Sequence, residues 1–229
     1  FFSVFVAPAV CRLFSGTMTE RRAPFDTEYT HCFCEENVWK LCAHLQGDQA
    51  GRPQGREVYA LFVSSCQKEA RVPGKWRSAV PMFNLRGRDS YVLWDYHVVC
   101  LVHTPGQGCV VHDFDTALPA DPPPSLRDYL ASSFLSRKVM EEHNLSVLDH
   151  AFLEQMTRDV YFKVIPADDY LTSFSSDRSH MDPTSTAFPS YACISNQKDA
   201  TNLAAYINMA DTSNGEVLAM DMLLRKFEP

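Results

Sequence analysis

The chain has 229 residues, 45% of them hydrophobic and 12% aromatic, with a formal net charge of −7. That is ample apolar material for a real core in one domain or two small ones. The acidic balance and the lack of any Lys/Arg run exclude the basic surface by which nucleic-acid binders are usually recognised.

Phe1 to Gly16 (FFSVFVAPAVCRLFSG) has the apolar character of a secretory signal but no basic flank, and Pro8 and Arg12 interrupt it. It is too short and broken to span a bilayer, and no other stretch is apolar enough to do so. Met18, followed by Thr-Glu-Arg-Arg, reads as a start. Residues 1–17 are therefore expected to be an extension outside the fold, with residues 18–229 forming one domain. The eight cysteines are irregularly spaced, and Cys32 and Cys34 are too close for an ordinary bridge. That predicts free thiols in a reducing compartment.

Apolar residues recur at 38, 41, 42 and 45, the stripe of an amphipathic helix that begins near Cys34. Glu35 and Glu36 fall in its first turn, where carboxylates suit the positive end of the helix dipole. A thiol at that point feels the dipole and free backbone N–H groups, which favour the thiolate. Residues 46–56 read as a Gly-rich loop, and Val58 to Val63 as a buried strand. A polar turn over 67–75, a strand within 76–83 and a charged loop over 84–90 follow. Tyr91 to His103 (YVLWDYHVVCLVH) is the strongest strand signal, long enough to be central in a sheet. Thr104-Pro105-Gly106-Gln107-Gly108 is a turn, and Cys109 to Asp115 is the returning strand. Beyond the proline-rich segment 119–124, helices are expected within 126–134, 137–153, 202–209 and 216–227, with a strand at 160–165 and a helical turn at 168–174. Residues 175–190 form a polar loop that holds Asp177, Arg178 and His180.

The hairpin places chemistry. With a turn of Thr104–Gly106, His97 lies opposite Asp113; with all five residues to Gly108 in the turn, it lies opposite Asp115. Either way an imidazole and a carboxylate become cross-strand neighbours on one sheet face. A cysteine at a helix start, then a histidine on a central strand, then an aspartate on the next, is the order of papain-like and transglutaminase-like thiol enzymes. In such a set His97 takes the thiol proton, Asp113 orients the imidazole, and the Cys34 sulfur attacks a carbonyl carbon. The Cys34 amide is the first candidate oxyanion donor. The bland alternatives are a buried core histidine at 97 and a surface carboxylate at 113. A zinc site drawing on His31, Cys32, Cys34, His97, His103 and His112 is a further alternative, although no C-x-x-C pair is present.

CFCEENVWKL (32–41), WDYHVV (94–99), HDFDTALP (112–119) and FSSDRSHM (174–181) closely resemble the eukaryotic protein N-terminal glutamine amidohydrolases. The likeness runs in order from about residue 30 to residue 227. The resemblance implies a papain/transglutaminase-like α+β fold with a central, mainly antiparallel sheet and the nucleophile at a helix N-terminus. It makes residues 18–229 one catalytic amidohydrolase domain, a cytoplasmic and also nuclear monomer without metal or cofactor. It further implies deamidation of a glutamine at a protein's N-terminus to glutamate and ammonia, feeding the arginine branch of the N-degron pathway. Its triad falls on Cys34, His97 and Asp113, so the resemblance selects Asp113 over Asp115. The partners it implies are N-terminal Gln proteins and peptides, with neither nucleic acid nor membrane. A thiol protease, an acyl-transferring transglutaminase and a zinc or thiol adaptor are the competing readings. Selectivity for a terminal glutamine needs a carboxylate for the free α-ammonium, and Glu35, Glu36, Asp95 and Asp177 are candidates the sequence does not rank.

Overall fold

The structure, a computed structural model, describes residues 29–47, 55–65, 78–184 and 186–228. The proposed 1–17 extension and the 67–75 turn lie outside these residues. The first helix, α1 (Cys34–Gly47), starts where the periodicity put it and buries Val38, Leu41, Cys42 and Leu45. There follow β1 (Glu57–Ser64), β2 (Val80–Met82), β3 (Val92–Trp94), β4 (His97–Thr104) and β5 (Gly108–His112). The chain continues through α2 (Leu126–Ser133), α3 (Arg137–His143), α4 (Val147–Arg158), β6 (Tyr161–Pro166), α5 (Ala167–Ser173) and α6 (Leu203–Ile207). It closes with β7 (Glu216–Ala219) and α7 (Met220–Phe227).

Five strands form an antiparallel sheet in the order β5-β4-β1-β6-β7, and β2 pairs β3 in a separate ribbon. This is the expected α+β class with a mainly antiparallel centre. Alternate residues of the central strands feed two cores. Val58, Ala60, Phe62, Val98, Cys100 and Val102 meet α1, α5 and α6 on one face. Leu61, Val63, Val99 and Leu101 meet α2 and α7 on the other. A sheet covered on both faces explains why β1 is almost continuously apolar. Phe62 anchors the first core, its ring centroid 5.6 Å from Tyr170 and 5.3 Å from Tyr206. Truncating such a ring to alanine costs about 3–5 kcal/mol.

Three sequence expectations are corrected. Tyr91 to His103 is not one strand: β3 pairs β2, Asp95 and Tyr96 turn the chain, and β4 joins the main sheet. Both halves are rich in β-formers, so only Asp95, a poor strand residue, marked the break. Residues 216–227 are not one helix, because Glu216–Ala219 pairs β6 and supplies its outer hydrogen bonds before α7 begins. The thiols are not all free. Cys34, Cys42, Cys100, Cys109 and Cys193 are, but Cys32 is disulfide-bonded.

Candidate active site

Cys34 is delivered by a clamped turn. Cys32 takes a left-handed φ of 68°. The Asn37 side chain accepts from the Thr30 N–H at 2.8 Å and donates to the Thr30 carbonyl at 2.7 Å. The next two side chains, Glu35 and Glu36, are fully buried rather than solvated on the helix end. Glu36 accepts two hydrogen bonds from the Arg178 guanidinium, at 2.7 and 2.8 Å. Arg178 also donates to the carbonyls of Pro189 (3.3 Å) and Tyr191 (3.1 Å), strapping that loop onto α1. From α5, the Tyr170 hydroxyl donates to the Glu35 carbonyl at 2.9 Å. The nucleophile candidate is thus held from three directions.

His97 opens β4 and is buried. The hairpin turn is the three residues 105–107, with Gly106 and Gly108 at φ of +78° and +86°, conformations that L side chains rarely adopt. The register pairs His103 with Cys109 and Cys100 with His112. Continued, it would set His97 against Asp115, but the ladder ends at His112. Residues 115–117 leave to pair with residues 84–86 instead, through Arg86 N–H to the Asp115 carbonyl and Ala117 N–H to the Asn84 carbonyl. This departure brings Asp113 to His97, with Nε2 2.9 Å from Oδ1. Asp113 Oδ1 also accepts the Asp115 N–H at 2.9 Å, and Oδ2 accepts the Tyr129 hydroxyl at 2.7 Å. Tyr29 donates to Asp115 Oδ1 at 2.6 Å. Trp94 stacks on the His97 ring, with centroids 5.6 Å apart and planes within 19°.

These contacts assign the ring. With Nε2–H donated to the carboxylate, Nδ1 is the lone-pair nitrogen, and it is buried without a hydrogen-bond partner among the described residues. It is the base available to a thiol. The Cys34 S–H points to Glu35 Oε2 at 3.6 Å. Sulfur and Nδ1 are not yet hydrogen-bonded, as is common before substrate arrives.

Electrostatics fill in the state of each group. Burial pushes the Cys34 thiol well up, the charges of Glu35 and Asp115 push it further, and only the Val98 N–H opposes them. The expectation that the helix start favours a thiolate is therefore corrected: the resting group is a thiol, because desolvation and two carboxylates outweigh the dipole. Burial pulls His97 down, but the charge and hydrogen bond of Asp113, with Asp115 and Glu35 behind it, leave it above its ordinary value. Burial pushes Asp113 up, but His97, the Asp115 N–H and Tyr129 together hold it below the usual carboxylate range.

His97, Asp113 and Asp115 offer ligand atoms within 4.8 Å of one another, the one such group among the described residues. Both Asp113 oxygens and His97 Nε2 are already engaged in mutual or neighbouring hydrogen bonds, the donor set of a proton-transfer pair. The zinc set weighed from the sequence is not assembled. His97 and His103 lie at opposite ends of β4, His103 faces Glu57 at 3.0 Å, and burial and then the Arg56 charge push His112 down to about 4.

The sequence singled out Cys34, His97 and Asp113; the structure pairs His97 with Asp113 where β4 begins and puts Cys34 at the start of α1, packed against the core face that holds Val98. Tyr129 gave no signal, because a tyrosine on a helical stripe reads as core. Trp94 and Tyr96 lay inside the WDYH motif without an assigned role.

Fold and site together define an α+β protein with a cysteine at a helix start and a buried histidine–aspartate pair where a central strand begins. A family model described as N-terminal glutamine amidase matches residues 29–227, and the chain belongs to that family. It is 35% identical over 208 residues to the protein N-terminal glutamine amidohydrolase of Drosophila mojavensis, spanning 88% of this chain and 89% of that one. The protein of the same name from Danio rerio is 35% identical over 205 residues (87% and 88%), and that from Drosophila melanogaster 35% over 211 (88% and 89%).

Proposed function

We propose that this chain hydrolyses the side-chain amide of an N-terminal glutamine, giving N-terminal glutamate and ammonia. The observation that carries the reading is the buried His97–Asp113 pair, whose Nδ1 has no hydrogen-bond partner among the described residues, in a chain of this family. We assign Cys34 as nucleophile, His97 as base and acid, and Asp113 as the group that orients the ring. Sulfur attacks the amide carbon as its proton passes to Nδ1, and the tetrahedral oxyanion is met by the Cys34 N–H at the helix start. His97 then protonates the departing ammonia. Water, deprotonated by the same nitrogen, hydrolyses the γ-glutamyl thioester. No step needs a metal or cofactor. The fold is of the papain/transglutaminase type.

The new N-terminal glutamate fits a place ahead of arginylation in the arginine branch of the N-degron pathway. We further infer a monomer acting in the cytoplasm and nucleus, with N-terminal Gln chains as partners and neither nucleic acid nor membrane. No helix among the described residues is long and apolar enough to cross a membrane, and the net charge of −7 suits neither an anionic lipid surface nor a nucleic acid.

The test is a short peptide beginning with Gln, beside its N-acetylated twin and a version beginning with Asn, followed by peptide mass and ammonia release. Conversion of the free Gln peptide alone is expected. Cleavage of the peptide bond, or incorporation of an added amine without hydrolysis, would replace the reading with a thiol protease or a transglutaminase.

A further inference from the structure

Among the four carboxylates that could meet a substrate ammonium, three are otherwise engaged or misplaced. Glu36 is saturated by Arg178. Asp95 is exposed, and Asp177 is exposed and caps the Ser179 N–H at 3.0 Å. Glu35 is different. Its side chain is fully buried, Oε2 accepts the Tyr96 hydroxyl at 3.1 Å, and Oε1 has no hydrogen-bond partner among the described residues. Facing it is the His180 ring, whose Nε2 stands 3.4 Å from Oε1 and 3.3 Å from the Tyr96 hydroxyl. The His180 side chain is 21% exposed, so this ring stands between the oxygen and solvent. A buried carboxylate with an unfilled oxygen is costly, and a native structure that keeps one does so for a reason.

We propose that Glu35 receives the substrate's free α-ammonium, displacing His180 from Oε1, and that the arriving positive charge releases the Cys34 proton to His97. The inference rests on the deamidase reading and names how that site recognises its substrate class. Glu35 Oε2 is 3.6 Å from the Cys34 sulfur. A glutamine that curls can place its ammonium on this carboxylate and its amide carbon about 3–3.5 Å from the sulfur. An N-terminal asparagine is a methylene shorter, so its amide carbon falls about 1.5 Å short once the ammonium is docked. An internal glutamine or an acetylated one brings no charge, and leaves Glu35 buried and unpaired.

The activation half follows from proximity. Glu35 is the foremost charge opposing ionisation of Cys34, whereas on His97 it acts behind Asp113 and Asp115. Neutralising it therefore eases loss of the thiol proton more than it weakens the base. The S–H bond breaks, the Nδ1–H bond forms, and sulfur keeps the electron pair. The other titratable groups facing Cys34 are Tyr29 before α1, Tyr96 before β4, Asp115 after β5 and Tyr170 on α5, none of them a cation.

Two readouts test this. One is kcat/KM on the Gln-initiated peptide and its N-acetyl twin, in wild type, Glu35→Gln and Glu35→Asp. The other is alkylation of Cys34 by iodoacetamide at neutral pH, followed by intact mass. Glu35→Gln is expected to lower kcat/KM on the free peptide about tenfold to a hundredfold, the worth of one charge-assisted hydrogen bond. It also erases the preference for the free over the acetylated peptide. In the same variant, Cys34 without peptide is alkylated about tenfold faster. Glu35→Asp keeps the charge and with it the slow alkylation. An unchanged preference in a folded Glu35→Gln protein overturns the recognition, and unchanged alkylation overturns the activation.

If Glu35→Gln does not fold, wild type decides with an alanine-initiated peptide, which has the ammonium but no amide. Its free form moves the pH midpoint of alkylation downward and its acetylated form does not; equal behaviour of the two overturns the proposal. A wild type that deamidates free and acetylated Gln peptides equally leaves the deamidase reading standing and removes only this one. A wild type that deamidates neither removes both.

Discussion

Replacing Arg178 with methionine isolates the contact that holds the site's framework. The guanidinium is buried, lies 2.7 and 2.8 Å from the two oxygens of a fully buried Glu36, and donates to two further carbonyls. Methionine keeps much of the stem's volume and removes the charge. Glu36 is then a buried, unpaired carboxylate, and removing one partner of such a pair costs about 3–5 kcal/mol. Against a total stability of about 5–15 kcal/mol, that is a large fraction. With a urea slope of about 2 kcal/mol per M, the unfolding midpoint falls by roughly 2 M. Tryptophan fluorescence reads the transition. The double variant Glu36→Gln with Arg178→Met removes both charges and is expected to recover part of the loss, because no ion is left stranded. A single variant within about 0.3 M of wild type, or a double variant worse than the single, would refute the reasoning.

Three other outcomes follow from particular contacts. Tyr129→Phe removes the hydroxyl donated to Asp113 Oδ2 at 2.7 Å, a bond to a charged group worth about 1.5–3 kcal/mol. Without that bond the Asp113 carboxylate is more basic and favours the His97 cation more strongly, so the base protonates sooner and deamidase activity begins to fail at a higher pH on acidification; an unmoved acid limb would contradict the assignment. Asp113 itself, held below the ordinary range, contributes stability that is complete above the unfolded carboxylate pKa and lost as pH falls through the lowered one. Melting temperature against pH is therefore flatter on the acid side for Asp113→Asn than for wild type. At Gly215, an added Cβ would lie 2.7 Å from the Val164 carbonyl oxygen and 2.8 Å from Ile165 Cγ1, so Gly215→Ala is expected to cost about 1–3 kcal/mol in a thermal melt, and a neutral result would show that the β6–β7 edge shifts freely.

What the sequence disclosed was what depends on local pattern. The α1 stripe and the first-turn position of Cys34 were legible because helix periodicity is local. His97 was legible because the β-forming run and the Pro-Gly turn limit the hairpin registers. Turn geometry alone did not choose between Asp113 and Asp115. The observed register points His97 toward Asp115, and Asp113 wins because residues 115–117 are drawn away by residues 84–86, a long-range pairing with no local signature. The burial of Glu35 and Glu36 was hidden for the same reason. Two acids in a first turn look like solvated dipole partners until Arg178 and Tyr96 arrive from distant segments. The split of Tyr91–His103 across two sheets was hidden because both halves have equal strand propensity.

The central claim is that Cys34 forms a thioester with the side chain of an N-terminal glutamine, and the most direct measurement is the intact mass of protein quenched in acid during turnover of a Gln-initiated peptide. The account predicts an adduct equal to the peptide less ammonia, mapped to Cys34, released by hydroxylamine and absent in Cys34→Ser, which also yields no product. Full turnover by a folded Cys34→Ser protein, or an adduct on any other residue, would contradict it.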